Sequence, residues 1–286
     1  MMNSDLHVHV LNAKLNPELS KYVEIAHTEL DYGWDIDVPK PDSKHSLSLS
    51  LSYTADNIRH PAWTETDIQQ SMRMLVARMS AKIFMGDLAC RNEEWLNISI
   101  EFTYDLFKAA FTLRMFPPWM HLFVAHLIPA RWRIRRQMRV ARKIVGDITR
   151  KHVKDEKEGV KGQDTLLNWM IDHGTEQERS IPEMGARQCI MTLASIHTTS
   201  MSVSNLLFDL CTHPQWFPVL REEIDDVIKT HGALGESKLN AKQWLAKLEK
   251  MDSLIVECQR INPPILREFW RPFFSPSLHT SPWRRY

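Results

Sequence analysis

The chain has 286 residues, enough to bury a substantial core in one large domain or two small ones, and its 36 Lys and Arg stand against 35 Asp and Glu, a net charge of +1. That balance supplies no global field for nucleic acid or an acidic partner. Nine Gly beside 14 Met, 10 Trp and 11 Phe favour helices packed through large side chains over a β-rich fold, and the four scattered cysteines (Cys90, Cys189, Cys211, Cys258), with no Cys-x-x-Cys pair, indicate neither a zinc site nor a disulfide framework but buried free thiols in a reducing compartment.

No run reaches the roughly 18 consecutive apolar residues of a membrane span, and the stretch Met1 to Lys14 has no basic region followed by an apolar core, so neither a span nor a signal peptide is read here. The first 37 residues read as an extended start and a short helix, Pro17 to Tyr32, with Leu19, Val23, Ala26 and Leu30 on one side. From Pro39 to His60 the character changes: Pro-x-Pro is followed by a Ser/Leu alternation, Ser46 to Ser52. Period two admits a β-strand, but in a helical protein the repetition reads equally as a loop or insertion, which is preferred over residues 39–60.

Helices return at Trp63. Thr64 to Asp67 caps a helix with Ile68, Met72, Leu75, Val76 and Met79 at three-and-four spacing, ended by Gly86-Asp87. Arg91 to Met115 is the next, with Trp95, Ile98, Phe102, Leu106, Ala109 and Leu113 as its buried stripe. Pro117-Pro118 breaks the chain, and Trp119 to Ile128 is the most apolar surface candidate, too short to span a bilayer but able to touch one. Arg131 to Lys154 holds ten basic residues against the single acid Asp147. It invites a nucleic-acid reading, yet Ile134, Met138, Ala141 and Val145 interleave as a helical stripe, so the charges form one solvated face, usable at a membrane or protein surface. A polar linker, Asp155 to Gly162, and a short helix, Thr165 to His173, follow.

The organising element is Ser180 to Pro214, read as one helix of about 30 residues, long enough at 1.5 Å each to cross a domain. Ser180 and Glu183 suggest a capping box, Pro182 suits a first turn, and His213-Pro214 stops the run. Apolar residues surround both halves, the pattern of a helix buried on all sides. Only the middle is polar: Ser195, Thr198 or Thr199, and Ser202 share a face and can bond back to the carbonyl four residues earlier, either satisfying themselves in a packed core or opening a groove. Beyond it, Gln215 to His231 is amphipathic through Phe217, Leu220, Ile224, Val227 and Ile228. Ala241 to Met251 and Asp252 to Ile261 lead to Asn262-Pro263-Pro264, and residues 272–286 form an irregular tail.

Three motifs in this order resemble those of the cytochromes P-450, the haem-thiolate monooxygenases. Ala194-Ser195-Ile196-His197-Thr198-Thr199 is similar to their distal-helix signature. His213-Pro214-Gln215 with Leu220-Arg221-Glu222-Glu223-Ile224 resembles the start of their next helix, and Glu257-Cys258-Gln259-Arg260 with its trailing prolines resembles their Glu-x-x-Arg helix. The dialect, with His197 where most members carry an acid and Cys90-Arg91-Asn92-Glu93-Glu94-Trp95-Leu96 upstream, is similar to the fungal microsomal branch of ent-kaurene oxidases and secondary-metabolite tailoring enzymes.

The resemblance implies a mainly α, partial P-450 fold over residues 1–271, built around one long central helix at about 181–212. It implies insertion of one oxygen atom from O2 into a lipophilic substrate such as a terpenoid, indole-diterpenoid or meroterpenoid intermediate. The implied cofactors are haem b, and NADPH through a partner reductase; the implied place is the endoplasmic reticulum membrane, although the chain as written, without a span, would be cytosolic or peripheral. Thr198 would hydrogen-bond iron-bound dioxygen and help deliver protons, with Thr199 or His197 in the relay. Glu257 and Arg260 would form a buried structural ion pair, Arg271 would meet a haem propionate, and Ala194 and Ser195 would border the cofactor, with Ile190, Leu193 and Ile196 lining the pocket. The family's haem loop, Phe-x-x-Gly-x-x-x-Cys-x-Gly, is not found in the 26 residues after Arg260. The expectation is therefore a chain truncated before that loop, with no axial cysteine as metal ligand; the alternative is a haem-free, non-catalytic helical remnant with a binding role or none.

Overall fold

The computed structural model describes residues 4–38, 66–160 and 162–263, and all regular structure among them is helical. The Ser/Leu alternation, Arg271 and the tail from Pro272 lie outside the described residues. The chain starts with α1 (Leu6–Val10), which runs into one π-helical turn (Leu11–Leu15) and then α2 (Leu19–Asp37). The expected extended start is thus helical, because Leu6 and Val10, one turn apart, are both buried in the main core. The helix expected to stop at Tyr32 continues to Asp37, where the Asp37 carboxylate holds the Arg78 guanidinium. Gly33 permits this close approach: a Cβ there would lie 2.9 Å from Leu75.

Next come α3 (Ile68–Met85), α4 (Asp87–Cys90) and α5 (Glu93–Arg114). The Asp67 carboxylate accepts the Gln70 N–H at 3.0 Å and caps α3. Gly86 ends it at φ +88°, and the Gln163 side chain packs so closely there that a Cβ would clash at 2.1 Å. The Asn92 side chain caps α5 in the same way through the Trp95 N–H. Trp95, Ile98 and Phe102 are buried as expected, but Leu106 is exposed and the polar Ser99, Thr103 and Asp105 take up the buried face instead.

A 3₁₀ turn (Pro118–Met120) and α6 (His121–Leu127) lead into α7 (Pro129–Lys157), which runs three residues into the expected polar linker. Its inward side carries Ala141, Ile144, Val145 and Ile148. Thr165 caps α8 (Leu166–His173) through the Asn168 N–H. The long α9 (Ile181–Thr212) packs along α3, α7 and α5, and it is followed by α10 (Trp216–His231), α11 (Ala241–Leu245) and α12 (Glu249–Ile261). The Asn240 side chain accepts the Gln243 N–H while the Gln243 side chain accepts the Asn240 N–H, a box that starts α11. This helix stops well short of Met251, and Phe217 and Ile228 of α10, expected inside, are exposed.

Two expectations about α9 are corrected. Ser180 makes no side-chain cap bond, and the other half of the expected box is also missing, since Glu183 turns forward to the guanidinium of Arg187, Nη2 to Oε2 3.3 Å. Nor is the helix buried on all sides: Met184, Arg187, Gln188, Cys189, Met191, Thr192 and Ile196 are enclosed, whereas Ile190, Ala194, Thr199 and Phe208 are exposed. Helices α3, α5 and α7 cover one side and leave a stripe open.

Candidate functional site

The polar middle of α9 borders that stripe. Thr198 Oγ1 donates to the Ala194 carbonyl at 2.8 Å, and Ser202 Oγ donates to the Thr198 carbonyl at 3.0 Å. Each hydroxyl thus bonds back one turn, spending its proton on the helix and leaving its oxygen lone pairs to accept from outside. Thr198 is half-buried beside the exposed Ala194 and Thr199, so the edge of the helix here is small and hydroxyl-bearing. Ser195 differs: its Oγ lies 3.4 Å from Ser80 Oγ on α3 and 3.4 Å from the Thr192 carbonyl.

His197 is turned toward α5. Its Nε2 lies 3.1 Å from the Ile100 carbonyl on α5, so that nitrogen carries the proton, and the Tyr104 ring meets its edge with centroids 4.9 Å apart. Burial lowers its pKa below the usual histidine value, with the Arg73 charge acting in the same direction and the Ile100 bond opposing. The imidazole is a neutral strut between α9 and α5, and no hydrogen bond connects it to Thr198 among the described residues. Of the expected pocket lining, Ile190 and Ala194 are on the open side, Leu193 is partly buried against the core, and Ile196 is fully buried within it.

Glu257 and Arg260 form a two-pronged pair, 2.7 Å from Nε to Oε2 and 2.6 Å from Nη2 to Oε1. The pair expected to be buried is on the surface, with side chains 53% and 69% exposed. The reason is the face α12 presents to α9. Cys258 is buried there, the Asn205 side chain reaches the Asn262 carbonyl at 3.5 Å, and the Asn262 amide donates to the Asp209 carboxylate at 3.3 Å. Helix α12 therefore meets α9 about 10 Å beyond Thr198, two turns further along.

Two arrangements were missed by sequence reasoning. The buried Glu223 carboxylate of α10 accepts the Lys250 and Met251 N–H groups at 2.7 and 3.0 Å, capping α12 from another helix. The signal was the acid inside Leu220-Arg221-Glu222-Glu223-Ile224. Asp105 of α5 is buried and accepts from Arg133 Nε at 2.8 Å and Gln137 Nε2 at 3.0 Å, tying α5 to α7. An acid within an apolar stripe, opposite an arginine-rich helix, could have indicated it.

The donor set can be compared with the needs of a thiolate-ligated haem. Ala194 and the Thr198 hydroxyl suit its oxygen side. The thiols do not suit its other side: burial pushes Cys90 and Cys189 up to about 12 and, with the Asp209 carboxylate, Cys258 up to about 11, and Cys211, expected to be buried, is exposed at the end of α9. The described residues therefore do not by themselves complete such a centre.

The model of the family described as "Cytochrome P450" matches residues 50–271. The chain is 46% identical over 269 residues to the cytochrome P450 monooxygenase ATR4 of Stachybotrys chlorohalonatus, covering 94% of this chain and 48% of that protein. It is 38% identical to the cytochrome P450 monooxygenase AN1598 of Emericella nidulans, covering 95% and 47%. It is 33% identical to the ent-kaurene oxidase P450-4 of Gibberella fujikuroi, covering 94% and 48%. The chain spans about half the length of the curated relatives it matches.

Proposed function

Given that the chain belongs to the cytochrome P450 family, we propose that it supplies the oxygen-side half of a fungal monooxygenase. In the whole protein, haem b would provide the oxygen-activating chemistry and a reductase would bring electrons from NADPH. The substrate would be a lipophilic intermediate of secondary metabolism, a terpenoid, indole-diterpenoid or meroterpenoid. Residues 1–271 would form one partial domain, with residues 39–60 inserted and 272–286 as a tail.

The observation that supports this reading is the open stripe of α9, where Thr198 Oγ1 is held by the Ala194 carbonyl with its lone pairs turned outward. A hydroxyl fixed in this way accepts a hydrogen bond from Thr199 or water and positions that donor, and it would pass on its own proton only by releasing the Ala194 carbonyl. Ala194, lacking any side chain beyond Cβ, leaves room beside it. His197 contributes by holding α5 against α9 rather than by moving a proton. Among the described residues no helix is long and apolar enough to cross a membrane, and contact with the endoplasmic reticulum surface would fall to Trp119–Ile128.

The test is the Thr198→Ala variant of the haem-loaded, full-length protein. Oxygen consumed per product formed should rise, with peroxide released instead; unchanged coupling would remove Thr198 from proton delivery. The second reading, a haem-free remnant, is supported by the protonated, buried thiols. Adding haem to these 286 residues distinguishes the two: a thiolate-type Soret shift with carbon monoxide after reduction would refute the remnant, and a featureless spectrum would refute catalysis by these residues alone.

A further inference from the structure

We propose that His152 and Glu156 of α7, together with Asp172 of α8, hold a divalent transition metal, zinc by preference, that clips the end of α7 to α8. The site goes beyond the oxygen-side reading and is independent of it. Gly185 of α9 lies against Arg142 of α7, and Gly146 of α7 lies against Ile181 of α9, so the two helices run antiparallel and His152 falls beyond the start of α9. Thr198 is about 25 Å along α9 from Ile181, which separates the cluster from the hydroxyl-bearing stripe.

A ring nitrogen of His152 and one carboxylate oxygen from each acid lie within 4.8 Å of one another. His152 and Glu156 are one helical turn apart on α7, and Asp172 comes from α8, so the donors converge from two elements. The His152 side chain is 12% exposed, and its Nε2 is 2.8 Å from Asp172 Oδ1. Its Nδ1 is buried without a hydrogen-bond partner among the described residues, and Gly162 packs against it. The ring is thus fixed with Nε2 toward the acids. Donors around a zinc ion at roughly 2.0–2.2 Å stand about 3.3 Å apart, so Asp172 needs to back off by about 0.5 Å and the exposed Glu156 to swing in.

The electrostatics of the spot call for a cation. Glu156 and Asp172 are each the next-to-last residue of their helix, where unsatisfied carbonyls place partial negative charge. Two carboxylates this close repel each other unless positive charge stands between them. No Lys or Arg side chain pairs with either carboxylate among the described residues: Arg150 and Lys154 of the same stretch pair with Asp147 and Glu158, and Arg179 reaches only the Asp172 backbone carbonyl, at 2.9 Å. A nitrogen donor beside two oxygens suits zinc rather than calcium or magnesium, which take oxygen ligands, and three protein donors leave a position for water. Entry of the metal releases to solvent the proton that Nε2 shares with Asp172.

Equilibrium dialysis of the full chain against zinc, after metals are stripped with a chelator, should show one tightly held ion per chain, preferred about tenfold or more over calcium and magnesium. Glu156→Gln and Asp172→Asn, both at exposed positions, should each weaken binding by about tenfold or more with helicity unchanged. His152→Ala should abolish it. Since that ring is packed, circular dichroism accompanies this variant, and the two exposed changes carry the comparison if it unfolds. Zinc should also slow amide exchange in α8 of the parent chain but not of Glu156→Gln. Cys211→Ser, which removes the exposed thiol at the end of α9, should leave the affinity unchanged. Zinc binding that survives both Glu156→Gln and Asp172→Asn, that disappears with Cys211→Ser, or that calcium matches would overturn the proposal, as would the lack of saturable binding at micromolar zinc. No haem is added, so failure here leaves the oxygen-side reading standing.

Discussion

The two halves of α9 differ less in composition than in their surroundings. From Met184 to Ile196 the helix is gripped by α3 and α7, and even Arg187 and Gln188 are fully enclosed, the former held by Ser4 and Glu183. Past Ser200, only Ser204 and Leu210 of the helix are buried, and its Asn205 and Asp209 side chains meet Asn262 at the end of α12. The candidate hydroxyls sit at the junction. Rigidity thus comes from the first half, while the second half is held by a few polar contacts, the arrangement expected where a helix must be firm at one end and accessible beside its middle.

The largest test of that contrast is a pair of truncations. Met184→Ala should cost about 2–5 kcal/mol in urea unfolding, whereas Leu207→Ala, partly exposed, should cost less than about 1 kcal/mol. Equal losses would erase the distinction. Next in size is Glu223→Ala, which leaves two α12 N–H groups without their acceptor. A loss of about 1–2 kcal/mol is expected, seen as faster amide exchange in α12 while the amides around Gln188 keep their protection.

A smaller effect is set by pH. Burial holds the folded pKa of His197 below its unfolded value near 6.5, so its unfolded form takes up a proton first. The stabilisation is complete above about pH 6.5 and is lost as pH falls through the folded pKa. His197→Gln should flatten that part of the stability profile. His7, whose pKa is also lowered by burial and then by the Arg187 charge, titrates in the same direction beside the first half. If His7→Gln rather than His197→Gln removed the slope, the weaker half would have been misplaced. Smallest of all, Glu257→Ala should leave the unfolding midpoint where it is, because both partners of the Arg260 pair face solvent.

Much of the helical framework was legible. The boundaries of α3 follow from a capping acid at Asp67 and a glycine at Gly86, both local signals, and the length of α9 follows from Pro182 and His213-Pro214. The back-bonding of Thr198 and Ser202 was legible as well, since it requires only neighbours on the same helix. Partners contributed by other helices were not. That His197 would choose the Ile100 carbonyl, or that Glu223 would cap α12, depends on packing that no periodicity within one segment encodes. The burial expected of Glu257 and Arg260 came from likeness to a family rather than from these residues, and the described neighbours leave them uncovered.

Helix α5 is fastened at two positions. Ile100 is tied to His197 and Asp105 to Arg133 and Gln137, within five residues and about 7.5 Å of helix. The nine residues from Leu106 to Arg114 carry α5 about 13 Å further, to where Ala109 and Leu113 pack against Val124 and Ile128. Because the same helix meets His197 through the Ile100 carbonyl, the small core under α6 and the part of α9 next to Thr198 share one connecting rod.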